Sequence, residues 1–266
     1  GRQAILEVHA AGKPLAPEVA LETLAKETPG FSGADLSNLV NEAAILAARL
    51  NKKAIFMEEF EEAVERIIGG PERKSRIISP REKEMTAYHE AGHALVAWAL
   101  PHADRVHKIS IVSRGNTGGH TSLLPDEDRY LWTKNQFRDM LSVMMGGRVA
   151  EQQIFDEVTT GASDDLERGT KVALSMVKRY GMSEGLGPRT FGKREELVFL
   201  GREISEQRDY GERVAAEIDE EVKGLINKAY RRAEEILVTH KPKLVRLAEF
   251  LIELAFQHRI DGDLIS

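Results

Sequence analysis

The 266-residue chain contains no cysteine. Disulfides, thiolate metal sites and cysteine nucleophiles are thereby excluded, and any metal must be held by His, Asp or Glu. No stretch approaches the roughly 20 apolar residues that a membrane-spanning helix needs, and no signal peptide opens the sequence. A basic surplus is missing too: the net charge of -6 argues against a nucleic-acid partner. There is no internal repeat and no low-complexity tract. What remains is the composition of a soluble globular protein, 42% hydrophobic and 30% charged, long enough for one large core or two smaller ones. Gly1-Arg2-Gln3 runs straight into an apolar helical pattern, as expected of a segment cut from something longer.

The pattern predicts a mainly α fold with a small β-sheet. Ile5, Val8 and His9 begin a first helix, and Leu21, Leu24 and Ala25 stripe a second over about 17–27. After Pro29-Gly30, Ser32 stands three residues before Asp35, a capping arrangement, and Leu36, Leu39, Val40, Ala43 and Ala47 continue at helical spacing. A fourth helix is expected over about 57–68. Gly69-Gly70-Pro71 and the charged run Glu72–Arg76 have linker composition, so a boundary is placed there: a small helical bundle over 1–71, then a mostly helical domain over 72–266.

Ser79-Pro80-Arg81-Glu82 opens the next helix, with a capping serine, proline at the first helical position and a glutamate placed to close a capping box. That helix is expected to run to about Leu100. Residues 106–112 and 119–124 read as strands joined by a glycine-rich turn, followed by helices over about 133–153 and 163–180. Leu197–Leu200 reads as a short strand paired near Thr190-Phe191, and long amphipathic helices over about 207–237 and 241–256 complete the chain.

Within the capped helix lies His89-Glu90-Ala91-Gly92-His93. Spacing of four puts both imidazoles on one face, one turn apart, where they can share a zinc ion. Glu90 is rotated by about 100° and is placed to act as a general base, taking a proton from the water that attacks a peptide carbonyl. A third protein ligand is required. Val96 and Ala99 stand where a metzincin would have Gly and His, so that class is excluded. The candidates are Glu127, Glu151, Asp164 and Asp165; the residues themselves leave Glu151 and Asp165 equally placed, since acids in a first helical turn are favoured by the macrodipole alone.

Other features are weaker. Gly187 to Arg194 nearly matches a phosphate loop, but Arg194 replaces the required hydroxyl and Pro188 removes a backbone N–H, so a nucleotide site is rejected. His102, His107, His120, His240 and His258 read as ordinary surface or core histidines; Glu217–Glu221 reads as a solvated helix face.

Several segments together resemble the FtsH family of membrane-anchored, ATP-dependent zinc proteases. Gly30-Phe-Ser-Gly-Ala-Asp35-Leu with Asn41-Glu-Ala-Ala is similar to that family's AAA lid. Tyr88-His-Glu-Ala-Gly-His93-Ala is similar to its zinc helix. Gly146-Gly-Arg-Val-Ala-Glu151, Thr159-Thr-Gly-Ala-Ser-Asp-Asp165-Leu and Tyr180-Gly-Met-Ser match in order and spacing. The resemblance implies His89, His93 and Asp165 as ligands to one Zn2+ per chain, Glu90 as the base, and Glu151 as a helix residue near the site. The family usually has Asn where this chain has Asp164. Gly33 and Ala34 match a lid turn lying against the adenine of ATP.

Walker motifs, pore loop and membrane helices lie upstream in the family, so ATP/Mg2+ and membrane attachment are expected only in a full-length protein. What the resemblance implies for that protein is a homo-hexamer at the cytoplasmic face of the inner (plasma) membrane, degrading unfolded polypeptides and membrane proteins, with this segment soluble. Two alternatives stand beside it. One is a non-catalytic assembly module with a structural metal site; the other is a gluzincin-like exopeptidase with Glu151 as a ligand.

Overall fold

A computed structural model gives the protein's structure and describes residues 1–70, 79–113, 118–125, 129–192 and 209–263, with side chains as far as 255. Among these residues there are nine α-helices and one two-stranded antiparallel sheet. The linker residues 72–76, with the boundary drawn beside them, and the strand expected over 197–200 lie outside the described residues. No strand forms at Thr190-Phe191.

Helices α1 (Arg2–Ala10), α2 (Leu21–Glu27), α3 (Gly33–Arg49) and α4 (Met57–Gly69) enclose one hydrophobic cluster of Leu6, Leu24, Leu36, Leu39, Val40 and Phe60, all fully buried. Ser32 caps α3: its Oγ accepts from the Asp35 N–H at 3.2 Å and the Asp35 carboxylate accepts from the Ser32 N–H at 2.8 Å. Helix α2 begins at Leu21, where its apolar stripe begins, and later than the expected start near 17. The residues before it are held elsewhere, because the Pro14 carbonyl accepts from Ile55 N at 2.7 Å and Ala16 N donates to the Ile55 carbonyl at 2.9 Å.

The second cluster is built on α5 (Pro80–Ala99), which starts at the expected capping box: Ser79 N donates to Glu82 Oε2 at 3.0 Å and Glu82 N to Ser79 Oγ at 3.2 Å. Strands β1 (Arg105–Ser110) and β2 (His120–Leu124) pair with Lys108 opposite Ser122 and Ile109 opposite Thr121. Helix α6 (Lys134–Phe155) lies along α5, and α7 (Ser163–Lys178), α8 (Glu212–Thr239) and α9 (Lys241–Asp263) close around this pair.

Small residues bring α5 and α6 together. A Cβ on Gly92 would lie 2.4 Å from the Gly146 carbonyl oxygen and 2.7 Å from Ala150 Cβ, and a Cβ on Gly146 would lie 2.8 Å from the Gly92 oxygen. The two backbones therefore cross with nothing between them. That crossing sets α6 close enough to hold the histidines of α5 from behind.

Candidate metal centre

Eleven consecutive residues of α5, Ala87 to Ala97, are buried. Three are polar: His89, Glu90 and His93, each less than one-tenth exposed. Burying such groups is unfavourable unless each finds a partner, and each does, on an element other than α5.

The His93 Nδ1 lies 2.7 Å from the Val143 carbonyl on α6. A carbonyl only accepts, so this nitrogen carries the proton and Nε2 carries the lone pair. On the other ring, His89 Nδ1 lies 2.7 Å from Glu151 Oε1, also on α6. Glu151 is held below the usual carboxylate range. Burial raises its pKa, but the hydrogen bonds from His89 and from the Thr159 N–H more than offset that. Its ionised oxygen therefore accepts a hydrogen bond from the Nδ1–H of His89, and in the neutral ring Nε2 is again the bare nitrogen.

The two Nε2 atoms stand 3.0 Å apart, and Asp165 Oδ2, from the first turn of α7, lies 3.3 Å from one and 3.2 Å from the other. With both rings neutral, three electron-pair donors thus converge on one point with no N–H among them. Such a triangle is repulsive unless a positive charge sits at its centre. The His89 imidazole expresses that demand through protonation: burial opposes its charged form, yet hydrogen bonds to Asp165 and Glu151 and the charges of Glu90 and Glu151 push its pKa up to about 10. Asp165 moves the opposite way, far below the usual range. Burial opposes this, and the hydrogen bonds and charges of the two histidines prevail.

Zinc fits the triangle. Tetrahedral coordination with metal–ligand distances of about 2.0–2.1 Å requires donors roughly 3.3 Å apart, and the three edges match. The site also has a cradle: a Cβ on Gly147 would lie 2.4 Å from the Cε1 and Nε2 atoms of His89, so only glycine leaves room for that ring. Among the described residues, the His/Cys/Asp/Glu group able to hold a metal is His89, His93 and Asp165.

The acids that the motifs left open are separated by the fold. Asp164 is exposed on the neighbouring position of α7. Glu151 is buried behind His89, where it also accepts from Thr159 N at 2.7 Å and Thr159 Oγ1 at 3.2 Å. Glu151 thereby ties the histidine and the loop that leads into Asp165 to one carboxylate. Glu127 lies outside the described residues. His120 is exposed, His107 pairs with Glu27 at 2.8 Å, and His240 sits edge-on to Trp98. Gly33 and Ala34 occupy the exposed first turn of α3, with nothing within 4 Å of a Cβ on Gly33.

Glu90, which is not one of the three converging donors, reaches β2. Its Oε2 accepts from Thr121 Oγ1 at 2.6 Å. Thr121 and the Val143 carbonyl were not visible as site groups in the sequence. A backbone carbonyl carries no residue signature, and a threonine in a strand is ordinary.

Comparison with known proteins gives two family matches: peptidase family M41 over residues 76–261, and the AAA+ lid domain over residues 18–62. The chain is 64% identical over 98% of its length to ATP-dependent zinc metalloprotease FtsH 1 of Sphaerobacter thermophilus, and 63% identical over 98% to the protein of that name from Thermomicrobium roseum. It is 52% identical over 99% to ATP-dependent zinc metalloprotease FtsH of Thermotoga maritima. It spans 40% of the length of the first two relatives and 43% of the third.

Proposed function

The chain belongs to peptidase family M41, and from that premise we propose that His89, His93 and Asp165 hold a catalytic zinc ion while Glu90 is the general base of an endopeptidase site. Membership makes the segment a zinc metallopeptidase. The residue assignment rests on a single observation, the convergence of His89 Nε2, His93 Nε2 and Asp165 Oδ2 at 3.0–3.3 Å from one another.

When bound, zinc supplies Lewis acidity, polarising a scissile carbonyl and making an attacking water more acidic. The protein groups do the rest. Glu151 and the Val143 carbonyl hold the two imidazoles in the tautomer that presents Nε2. Glu90, adjacent in sequence to a ligand and outside the donor group, takes the proton of the attacking water and returns it to the leaving amine. With Oε2 engaged by Thr121, Oε1 is the atom left to carry that proton. A structural zinc site is normally closed by a fourth protein ligand. The described cluster has three, which favours catalysis over the assembly-module reading. Glu151 is engaged at Nδ1 of His89, which disfavours the exopeptidase reading in which it ligates.

The relatives' printed name, ATP-dependent zinc metalloprotease, supports a wider reading for the longer protein. In that reading residues 1–71 are the lid of an AAA+ motor, with Gly33 and Ala34 facing nucleotide held by a neighbouring ATPase core, and residues 72–266 are the peptidase domain. The lid makes assembly into a ring, a homo-hexamer, the expected form, with unfolded and membrane-protein chains as substrates. No helix among the described residues is long and apolar enough to cross a membrane. Attachment at the cytoplasmic face of the inner membrane would therefore be made by other segments.

The test is Glu90→Gln. Zinc content stays near one per chain while cleavage of an unstructured protein such as casein is lost. Cleavage that survives the substitution would remove Glu90 from its role, and full zinc affinity in Asp165→Ala would remove Asp165 from the ligand set.

A further inference from the structure

The hairpin β1–β2 packs against α5, and at the Glu90 side chain it makes a polar contact. Thr121 Oγ1 lies 2.6 Å from Glu90 Oε2 and 3.1 Å from the Glu90 backbone carbonyl. A hydroxyl has one proton to give. The carboxylate is both nearer and charged, so the proton goes there and forms a charge-assisted hydrogen bond. Two residues earlier, Gly119 meets the same side chain: a Cβ at that position would lie 2.8 Å from Glu90 Cγ and 2.9 Å from Oε1. It would also lie 2.7 Å from the Ser110 carbonyl on β1, which is part of the sheet and has little room to yield.

Alternation along a strand places residues 119 and 121 on one face. One of them grips the carboxylate and the other leaves a gap shaped for it. A glutamate has three side-chain torsions, and a buried one with no fixed partner would sample several orientations. Here one oxygen is fixed by a hydroxyl and the other is confined over a bare backbone. Neither Thr121 nor Gly119 is part of the zinc-donor group.

We propose that Thr121 and Gly119 form a cradle that positions the Glu90 carboxylate, with Thr121 a positioning residue for the peptidase reaction. The proposal rests on Glu90 being the general base. Its mechanism is orientational: the hydroxyl fixes Oε2 and so turns Oε1 to the place where the proton is transferred.

The experiment compares zinc-loaded Thr121→Val, Thr121→Ser and Gly119→Ala chains with the unaltered chain, using a quenched-fluorescent peptide to obtain kcat and KM and elemental analysis for zinc. Thr121→Val keeps the shape and loses the donor. Its kcat is expected to fall about 10- to 100-fold, as for other residues that orient a site from behind, with KM and zinc content unchanged. Thr121→Ser restores most of the loss. A crystal structure of Thr121→Val shows the Glu90 carboxylate turned away from Gly119.

Full kcat in Thr121→Val overturns the proposal, and so does a carboxylate that stays in place. Equal loss in the Ser and Val variants overturns it as well, since that would mark a packing role for the threonine methyl. Gly119→Ala provides a second route should the valine variant not fold: it is expected to lower kcat at constant zinc content, and unchanged kcat there overturns the cradle. Glu90→Gln, measured alongside, separates the two claims. If it abolishes cleavage while Thr121→Val does not, only the cradle falls; if it cleaves normally, the assignment of the base falls with it.

Discussion

The N-terminal helices and the peptidase helices satisfy their buried polar groups in different ways. In the first cluster the buried polar residues are Thr28 and Glu59. Thr28 Oγ1 donates to the Leu24 carbonyl four residues away, and Glu59 accepts from Lys52 and from the Phe56 N–H, seven and three residues away. Around α5 the partners are distant in sequence: Val143 for His93 at a separation of 50, Glu151 and Asp165 for His89 at 62 and 76, and Thr121 for Glu90 at 31. Local satisfaction needs only a helix and its cap. Distant satisfaction needs the whole fold in place, which is what a site of fixed geometry requires.

The largest expected effect separates the two regions. Leu36 is fully buried in the N-terminal cluster, and truncation to alanine there should cost about 2–5 kcal/mol, by lost burial and the cavity left behind. Chemical denaturation followed by hydrogen exchange would register the loss in α1–α4, while zinc content stays near one per chain. Zinc lost together with α1–α4 would show that the two cores unfold as one unit. Ion pairs among the described residues join the two regions: Lys108 on β1 with Glu61 and Glu65 on α4, and His107 with Glu27. They are expected to be too weak to couple the cores fully.

The same division explains what could be read before the fold was seen. Amphipathic periodicity located α3 and α4 because each buries one face. It says little about α5, buried along eleven successive residues, and there the capping box at Ser79 and the paired histidines carried the reading instead. Element boundaries slipped where tertiary contacts override local preference, as at α2, whose start is displaced by the Ile55 bridge. In the site, spacing of four on one helix was enough to pair the imidazoles. It could not choose between Glu151 and Asp165, because both are acids on helices, and the distinction is which histidine nitrogen each one faces. Helix α6 carries a further capping box, Thr133 with Gln136, whose residues stand at the same spacing as those at Ser79.

A smaller effect sharpens the contrast within the peptidase region itself. Glycine in a helix interior usually costs about 1 kcal/mol relative to alanine. Gly224 on α8 has nothing within 4 Å of an added Cβ, so Gly224→Ala should stabilise by up to that amount. Gly92→Ala should reverse the sign. Its Cβ would press on the Gly146 carbonyl and Ala150, and the overpacking, roughly 1–3 kcal/mol, outweighs the propensity gain. Zinc affinity should fall with it, because α6 would be pushed back with the Val143 carbonyl and Glu151 on it. Equilibrium denaturation and a zinc competition assay measure both; a stabilised Gly92→Ala with unaltered zinc affinity would contradict the close crossing.

The smallest effect concerns a device that both regions share. Ser32 caps α3 and Ser79 caps α5, each accepting at 3.2 Å from the N–H three residues on. Both sites are exposed, and both bonds are local, so Ser32→Ala and Ser79→Ala should each cost about 1 kcal/mol. The cap on α5 lies more than two turns from His89, and the histidines are held from α6 and α7, so zinc affinity in Ser79→Ala should not change. Stability of both variants by thermal melting, with zinc competition on the second, decides it. A drop in zinc affinity in Ser79→Ala would mean that α5 relies on its own first turn, in addition to its distant partners, to keep His89 and His93 in place.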